Sequence, residues 1–226
     1  MKSLRFVLLA GLAMAGAALA ADSKPSLDGV WLIEHSPREL RTVEGKEPPL
    51  LPDARKQYDA QRALRAKGDL SFDHTTWCAS PGVPRLMLEP YKFEIIVNKR
   101  QVAFLYEWNR WARLIDMTGN DIQPLYPLTF GTANGYFEGD TLVIVSRQLA
   151  RETFIDRSGL PHSDDMQLTE RVRLKSANVL EDRIRVDDPA TYEKPWEFVV
   201  TYRRQPDAGI EEDVCLDRIK QGKPAI

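Results

Sequence analysis

Nine short segments of alternating apolar and polar residues occupy most of this chain, and polar turns separate them. The segments lie at residues 27–34, 92–98, 101–107, 111–117, 129–137, 141–146, 166–175, 179–187 and 196–204. Alternation with a period of two indicates strands that bury one face. Most connections are too short for a parallel crossover, so neighbouring strands are predicted to be antiparallel. The sequence therefore predicts a mainly β fold, either a closed meander barrel or a sandwich.

Closure into a barrel of about eight to ten strands is the more economical arrangement, because it leaves no strand edge exposed to other chains. A barrel of this size has an interior that accepts one small ligand. Ahead of most of the strands, residues 38–68 are predicted to form an irregular arm and one helix. Pro52 and Asp53 begin that helix, and Gly68 ends it.

The N-terminus has the three parts of a secretory signal peptide. Lys2 and Arg5 precede an apolar core of about 14 residues, and a small-x-small sequence ends at Ala20. This core is shorter than the roughly 20 residues that span a bilayer. We expect removal of residues 1–20, a single domain over residues 21–226, no integral membrane segment after cleavage, and a periplasmic or secreted protein.

Composition and motifs disfavour several classes of function. The 31 basic and 33 acidic residues are interspersed and give a formal net charge of -2. Without a basic stripe, neither nucleic acid nor an anionic membrane is an expected partner. The chain has no GxGxxG, GxSxG or P-loop motif, and it has no HxH, HxxxH or CxxC spacing. We therefore expect neither a nucleotide cofactor nor a metal site.

The chain has two cysteines, Cys78 and Cys215. In an oxidising compartment a disulfide is the simplest use of an even pair. A catalytic thiol is the alternative, although no basic neighbour or helix start beside either cysteine indicates a lowered pKa. We expect a bridge that ties the C-terminal tail to the start of the barrel.

Strand alternation places three charged side chains on faces that are otherwise apolar. Glu170 shares the apolar face of residues 166–175, and Asp182 shares that of residues 179–187. Arg113 likewise lies between two apolar neighbours on its face. A buried carboxylate needs a partner, water or a ligand, and the fork of an arginine can hold it at two points. The three residues form either a functional site or a structural ion network.

His162 lies in the turn Gly159-Leu160-Pro161-His162, shortly before the strand of Glu170, and Asp164 follows it. A histidine beside carboxylates at the rim of a barrel can serve as a general base near neutral pH. A solvated turn residue in a network of local backbone hydrogen bonds is an equally plausible interpretation.

Aromatic residues on the strands suggest the character of a ligand. We expect Tyr106, Trp111 and Tyr202, together with Asp182, to contact a small hydrophobic or aromatic molecule in the interior. Core packing explains any single one of these aromatic residues equally well.

Four stretches resemble a family of secreted proteobacterial proteins without an assigned general function. They are CASPGVPRLMLEPYKFEII, GYFEGDTLVIVS, DRSGLPHSDDMQLTERVR and RVDDPATYEKPW, and the resemblance covers residues 27–215. Such proteins look like lipocalin or calycin-type barrels. That resemblance implies a cup-shaped barrel, a fold shared by passive carriers and by cofactor-free decarboxylases, hydratases and isomerases. Fold similarity alone does not fix the activity.

Two functions follow as hypotheses. The first is a cofactor-independent acid/base enzyme of lyase, hydratase or isomerase type, acting on a small hydrophobic molecule. In it Glu170 is the general acid or base, Arg113 holds an anion or developing charge, and His162, oriented by Asp164, moves a second proton. The second is a carrier or sensor in which Arg113 and Glu170 only orient the ligand. A structural or envelope-interaction protein is a third alternative.

Overall fold

All nine predicted strands form in the computed structural model, which describes residues 26–120 and 123–225. In chain order the strands are β1 Gly29–Ile33, β2 Phe93–Val97, β3 Gln101–Tyr106, β4 Ala112–Asp116, β5 Thr132–Glu138, β6 Thr141–Arg147, β7 Gln167–Ser176, β8 Val179–Asp187 and β9 Trp196–Arg204. Each pairs with the next, and β1 pairs with β9, so the sheet closes into a barrel. The predicted mainly β barrel is confirmed. The predicted signal peptide, residues 1–20, lies outside the described residues.

The junction between β4 and β5 differs from the predicted antiparallel meander. The other neighbouring pairs are antiparallel, whereas β4 and β5 run parallel. Within residues 26–120 and 123–225 they share one bridge, between Asp116 and Asn134. The connection between the two strands is long enough to return the chain to the other end of the barrel, which is the condition for parallel pairing.

Two α-helices and two short 3₁₀ helices accompany the described barrel. The predicted N-terminal helix is present as α1, Pro52–Ala66, with Pro52 at its first turn. A second helix, α2, Cys215–Lys220, was not predicted, because six residues are too few to show a periodic pattern. The 3₁₀ helices span His74–Trp77 and Arg85–Leu88.

The two ends of the barrel are built differently. At one end, which we call the turn end, short turns at residues 98–100, 139–140 and 177–178 connect the strands. The opposite end holds the longer connections, and there the 3₁₀ helix Arg85–Leu88 is buried. We call this helix the plug. Met87 of the plug accepts a hydrogen bond at its carbonyl from the hydroxyl of Tyr202 on β9, over 3.1 Å.

A chain of buried charges holds the plug in place. Arg85 binds both carboxylate oxygens of Asp73, at 2.8 and 2.9 Å, and its Nε donates to Glu89 at 3.4 Å. Arg65 of α1 also binds Asp73, at 3.1 Å, and Arg157 forms an ion pair with Glu89 at 3.1 Å. Asp73 and Glu89 thus each have at least one arginine partner, which offsets the free-energy cost of burying their charges.

The predicted disulfide between Cys78 and Cys215 is confirmed. The two Cα atoms lie 5.7 Å apart, and the bridge joins residues that are 137 positions apart in the chain. Such a long closed loop corresponds to a stabilisation of about 4–5 kcal/mol in the chain-entropy description. The bridge fixes the C-terminal helix to the segment that leads into the plug. Within the described residues, no helix is long and apolar enough to cross a membrane.

Candidate functional site

The centre of the barrel contains an ion pair between Arg113 on β4 and Glu170 on β7. Nη1 of Arg113 donates to Oε2 of Glu170 at 2.8 Å, and Nη2 donates to Oε1. The side chains are 1 % and 0 % exposed, so both point inward as predicted. Nη2 also donates to Oγ of Ser146 at 2.9 Å, and Nη1 lies 3.4 Å from the sulfur of Met87. Both terminal nitrogens of the guanidinium are therefore engaged by the protein itself.

Small residues on β5 allow this pair to form across two intervening strands. The inner face of β5 carries Ala133 and Gly135, so Arg113 can extend past it toward β6 and β7. A Cβ atom at Gly135 would lie 2.7 Å from Cγ2 of Ile115 and 2.8 Å from the sulfur of Met117. Because real Cβ atoms do not approach other atoms so closely, the packing of β4 against β5 requires glycine at this position.

The charge state of Arg113 is set by Glu170. Burial acts against the charged guanidinium, but the nearby carboxylate of Glu170 outweighs it and raises the pKa of Arg113. The pair is thus a closed, neutral unit. This arrangement differs from the role expected for Arg113, because its terminal N–H groups are occupied by Glu170, Ser146 and Met87 rather than directed at a substrate anion.

Asp182 on β8 is buried beside the ion pair, as strand alternation predicted. Its Oδ1 atom has no hydrogen-bond partner among residues 26–120 and 123–225. Burial raises the pKa of Asp182 well above the usual range, and the charge of Glu170 raises it further, although Arg113 acts in the opposite direction. The protonated, neutral form of this carboxyl is therefore favoured.

Two tyrosines surround the same interior. The ring of Phe93 packs against both, with centroid distances of 5.3 Å to Tyr106 and 5.0 Å to Tyr202. The hydroxyl of Tyr202 is engaged by the plug, whereas that of Tyr106 has no partner in the described part of the chain. Burial raises the pKa of Tyr106, so this side chain stays an uncharged phenol. The structure thus brings Tyr106, Asp182 and Tyr202 together around Arg113.

Trp111 lies beside Tyr106, and its carbonyl accepts a hydrogen bond from the backbone N–H of Tyr106 at 2.8 Å. Its ring packs edge-on against Phe130 with a centroid distance of 5.6 Å. It lines, with Tyr106, Arg110, Ile210 and Glu211, a cleft of about 250 Å³ between the turn before β4 and the C-terminal tail. This position is just outside the strand in which Trp111 was placed, because β4 begins one residue later.

His162 and Asp164 lie apart from Glu170. The ring of His162 is 6 % exposed, and its nitrogens lie 2.9 Å from Oγ1 of Thr153 and 2.9 Å from the carbonyl of Ser163. Burial lowers the pKa of His162, which favours the neutral ring. Asp164 accepts a hydrogen bond from the backbone N–H of Arg151 at 2.9 Å. Within the described residues, no hydrogen bond or ion pair joins either side chain to the other or to Glu170.

An apolar opening at the turn end was not recognised in the sequence. We call it the mouth; its cavity has a volume of about 360 Å³ and is lined by Ser26, Leu27, Val97, Phe137, Gly139, Asp140, Leu174, Ser176 and Ala177. Phe137, on the inner face of β5, is 46 % exposed there. Arg204 fixes part of the rim by donating to the carbonyls of Ser26 at 2.7 Å and Ala177 at 2.9 Å. The sequence feature that relates to this opening is the apolar character of the residues at the ends of the inner strand faces.

Asp182 lies on the inner face of β8, one inward-facing residue deeper in the barrel than the mouth. Leu174 lines the mouth and pairs with Leu180, and Asp182 follows Leu180 by two residues on the same face of β8. Two residues of a strand span about 7 Å. The mouth itself is not lined by Asp182, Arg113 or Glu170, because aliphatic side chains cover them.

The described residues contain no group of three or more His, Cys, Asp or Glu side chains that could hold a metal ion. Comparison of the chain with protein-family models, with curated proteins and with solved structures gives no match.

Proposed function

We propose that this protein binds a small, mostly apolar molecule in its barrel and that the molecule enters through the mouth. The observation that carries the proposal is the position of Asp182, whose buried Oδ1 atom lies one step beneath an open apolar cavity. A buried polar atom without a partner in the described residues costs about 1–3 kcal/mol, and a ligand in hydrogen-bond contact removes that cost. Carriers and sensors of small molecules combine an apolar cavity with a few polar groups in this way.

The exposed apolar lining of the mouth supports the same function. Phe137, Val97 and Leu174 keep part of their side chains in contact with solvent, although each lies on an inner strand face. A ligand in the mouth would bury this surface, at about 25 cal/mol per Å². To reach Asp182, the ligand displaces the aliphatic side chains of Leu174 and Leu180, which form the layer in between.

We further propose that the chain acts outside the cytoplasm. The sequence of residues 1–20 has the pattern of a signal peptide, and the Cys78–Cys215 bridge is typical of proteins that fold in an oxidising compartment. A periplasmic or secreted carrier or sensor agrees with both.

Acid/base catalysis is a second candidate function, favoured by the raised pKa of Asp182. A protonated carboxyl beside the Arg113–Glu170 pair can give a proton to a substrate as a general acid. In this version Asp182 takes the role first expected of Glu170, because both oxygens of Glu170 are held by Arg113. His162 is not positioned to assist, since its ring contacts Thr153 and Ser163.

Binding of the neutral fluorescent dye N-phenyl-1-naphthylamine tests the proposal. We expect the wild type to bind the dye, and we expect Ala177→Trp, which fills the rim of the mouth, to weaken binding at least tenfold. Lys99→Trp is the matched control, because Lys99 is exposed in a turn at the same end but does not line the mouth. Equal dye affinity for the two variants, or no binding by the wild type, would contradict the proposed site.

The two candidate functions are separated by turnover. Native mass spectrometry of protein purified from its own periplasm identifies a bound molecule by its mass. A carrier returns that molecule unchanged after prolonged incubation with excess ligand, whereas an enzyme converts it. Loss of conversion in Asp182→Asn with retained ligand affinity would assign the catalytic role to Asp182.

A further inference from the structure

We infer that the ligand is uncharged at its polar end, so that it carries a hydroxyl or carbonyl group rather than a carboxylate or an ammonium. This inference rests on the proposed function and specifies the chemical class of its ligand. It follows from the way in which the charges around Asp182 are already matched within the protein.

Among residues 26–120 and 123–225, a carboxylate ligand would find no unpaired cation beside Asp182. Arg113 is the cation of this interior, and its terminal nitrogens bind Glu170, Ser146 and Met87. Its Nε atom is buried and has no hydrogen-bond partner in residues 26–120 and 123–225, but the charge of the guanidinium is matched by Glu170. An added anion would therefore leave one unmatched negative charge in an apolar interior, which is strongly unfavourable.

A cationic ligand would meet the opposite difficulty. The two oxygens of Glu170 are held by Nη1 and Nη2 of Arg113, so an ammonium would have to break that pair to obtain a carboxylate. Arg113 would then be left buried without its counter-ion. Breaking a buried pair in this way is more costly than leaving it intact.

A neutral hydroxyl or carbonyl meets none of these costs. Oδ1 of Asp182 has no partner in the described residues and can be reached once the ligand displaces Leu174 and Leu180, and a carboxyl group can both donate and accept in its protonated form. The hydroxyl of Tyr106 is a second uncharged group on the same interior. The remainder of the ligand lies among Leu27, Val97 and Leu174, which requires an apolar body. The geometry thus points to a slim apolar molecule with one neutral polar end.

Three probes of equal chain length test this inference at pH 7: 1-decanol below its solubility limit, and decanoate and decylammonium below their critical micelle concentrations. Their affinities are measured by displacement of N-phenyl-1-naphthylamine from the wild type. We expect decanol to bind at least tenfold more tightly than either charged probe. Decanoate that binds as tightly as decanol would overturn the inference and leave the proposed function intact, because binding at the mouth would still be present.

Two variants connect the preference to Asp182. Asp182→Asn keeps a neutral donor and acceptor of the same shape, so the decanol affinity should change by less than threefold. Asp182→Leu removes the polar group, and we expect it to weaken decanol at least fivefold relative to the dye. Circular dichroism and thermal unfolding verify that both variants fold.

If Asp182→Leu binds decanol like the wild type, Asp182 does not contact the polar end. If no probe displaces the dye and Ala177→Trp has no effect, the proposed function fails as well.

Discussion

Arg113 and Glu170 form a two-point ion pair that spans the barrel interior between strands that are not neighbours. Nη1 of Arg113 lies 2.8 Å from Oε2 of Glu170, and β5 and β6 separate the strands that carry the two residues. The pair joins opposite parts of the wall, and its two charges cancel. The pair therefore affects the stability of the barrel. It also affects which ligand charges can be accommodated in the interior.

Removing one partner of this pair should be strongly destabilising. We expect Arg113→Met to lower the free energy of unfolding by about 3–5 kcal/mol, because Glu170 is left buried without a counter-ion. The double variant Arg113→Met/Glu170→Leu should regain most of that loss. Urea denaturation measures both. The control is Arg171→Met, which breaks an exposed pair with Glu138 and should change stability by less than about 1 kcal/mol. A double variant no more stable than the single one would show that the lost charge pairing is not the cause.

A side chain at position 135 should lower the stability of the protein. We expect Gly135→Ala to lower the free energy of unfolding by about 1–3 kcal/mol, because the added Cβ overlaps Ile115 and Met117. Gly209→Ala is the matched control, since a Cβ there meets nothing within 4 Å, and its effect should stay within about 0.5 kcal/mol. Thermal or urea denaturation compares the two. If the two substitutions change the free energy of unfolding equally, the packing of β4 against β5 accommodates the added Cβ atom without loss of stability.

Asp182 should make the wild type less stable as the pH rises. Burial and the charge of Glu170 raise the pKa of Asp182 above its usual value of 3.8, so the folded protein holds this proton more tightly than the unfolded chain does. The contribution is fully present at acid pH and is lost as the pH rises from about 4 toward the raised pKa. Asp182→Asn, which does not titrate, should therefore gain stability relative to the wild type between pH 4 and pH 7. A pH-independent difference in urea denaturation would contradict this assignment.

His162 should behave as a structural residue with the opposite pH dependence. Burial lowers its pKa from 6.5, although nearby carboxylates, Asp188 and Asp164 among them, act the other way. Its contribution to stability is present above pH 6.5 and is lost as the pH falls through the lowered pKa. His162→Gln should thus lose less stability than the wild type on acidification from pH 7 to pH 5. Its affinity for N-phenyl-1-naphthylamine should stay within twofold of the wild type; a larger change would place His162 in the ligand site.

Strand alternation was sufficient to place the buried charges correctly. Glu170 and Asp182 were assigned to the inner face because a period of two leaves no other choice once one face of a strand is apolar. The disulfide was also predictable, since two cysteines allow one pairing. These predictions depend on strand alternation and on the number of cysteines. Both can be read from a single sequence.

Other relationships depend on the closed shape of the barrel. Besides Glu170, the terminal nitrogens of Arg113 contact Ser146 from β6 and Met87 from the plug, and no sequence pattern indicates either contact. His162 was expected near Asp164 because the two are close in the chain, but its ring nitrogens instead contact Thr153 and the carbonyl of Ser163. The sequence does not reveal the mouth, because its lining comes from residues that are distant in the chain and share only their position at one end of the barrel.

The bridge between Cys78 and Cys215 converts most of the chain into a covalent ring. Strands β2 to β9 lie inside this ring, and of the nine strands β1 alone lies outside it. Detachment of β1 would break its pairing with both β2 and β9 and open the barrel, while the other eight strands stay tethered as one cyclic unit. Of the nine barrel strands, β1 is therefore the one whose release the disulfide does not restrain.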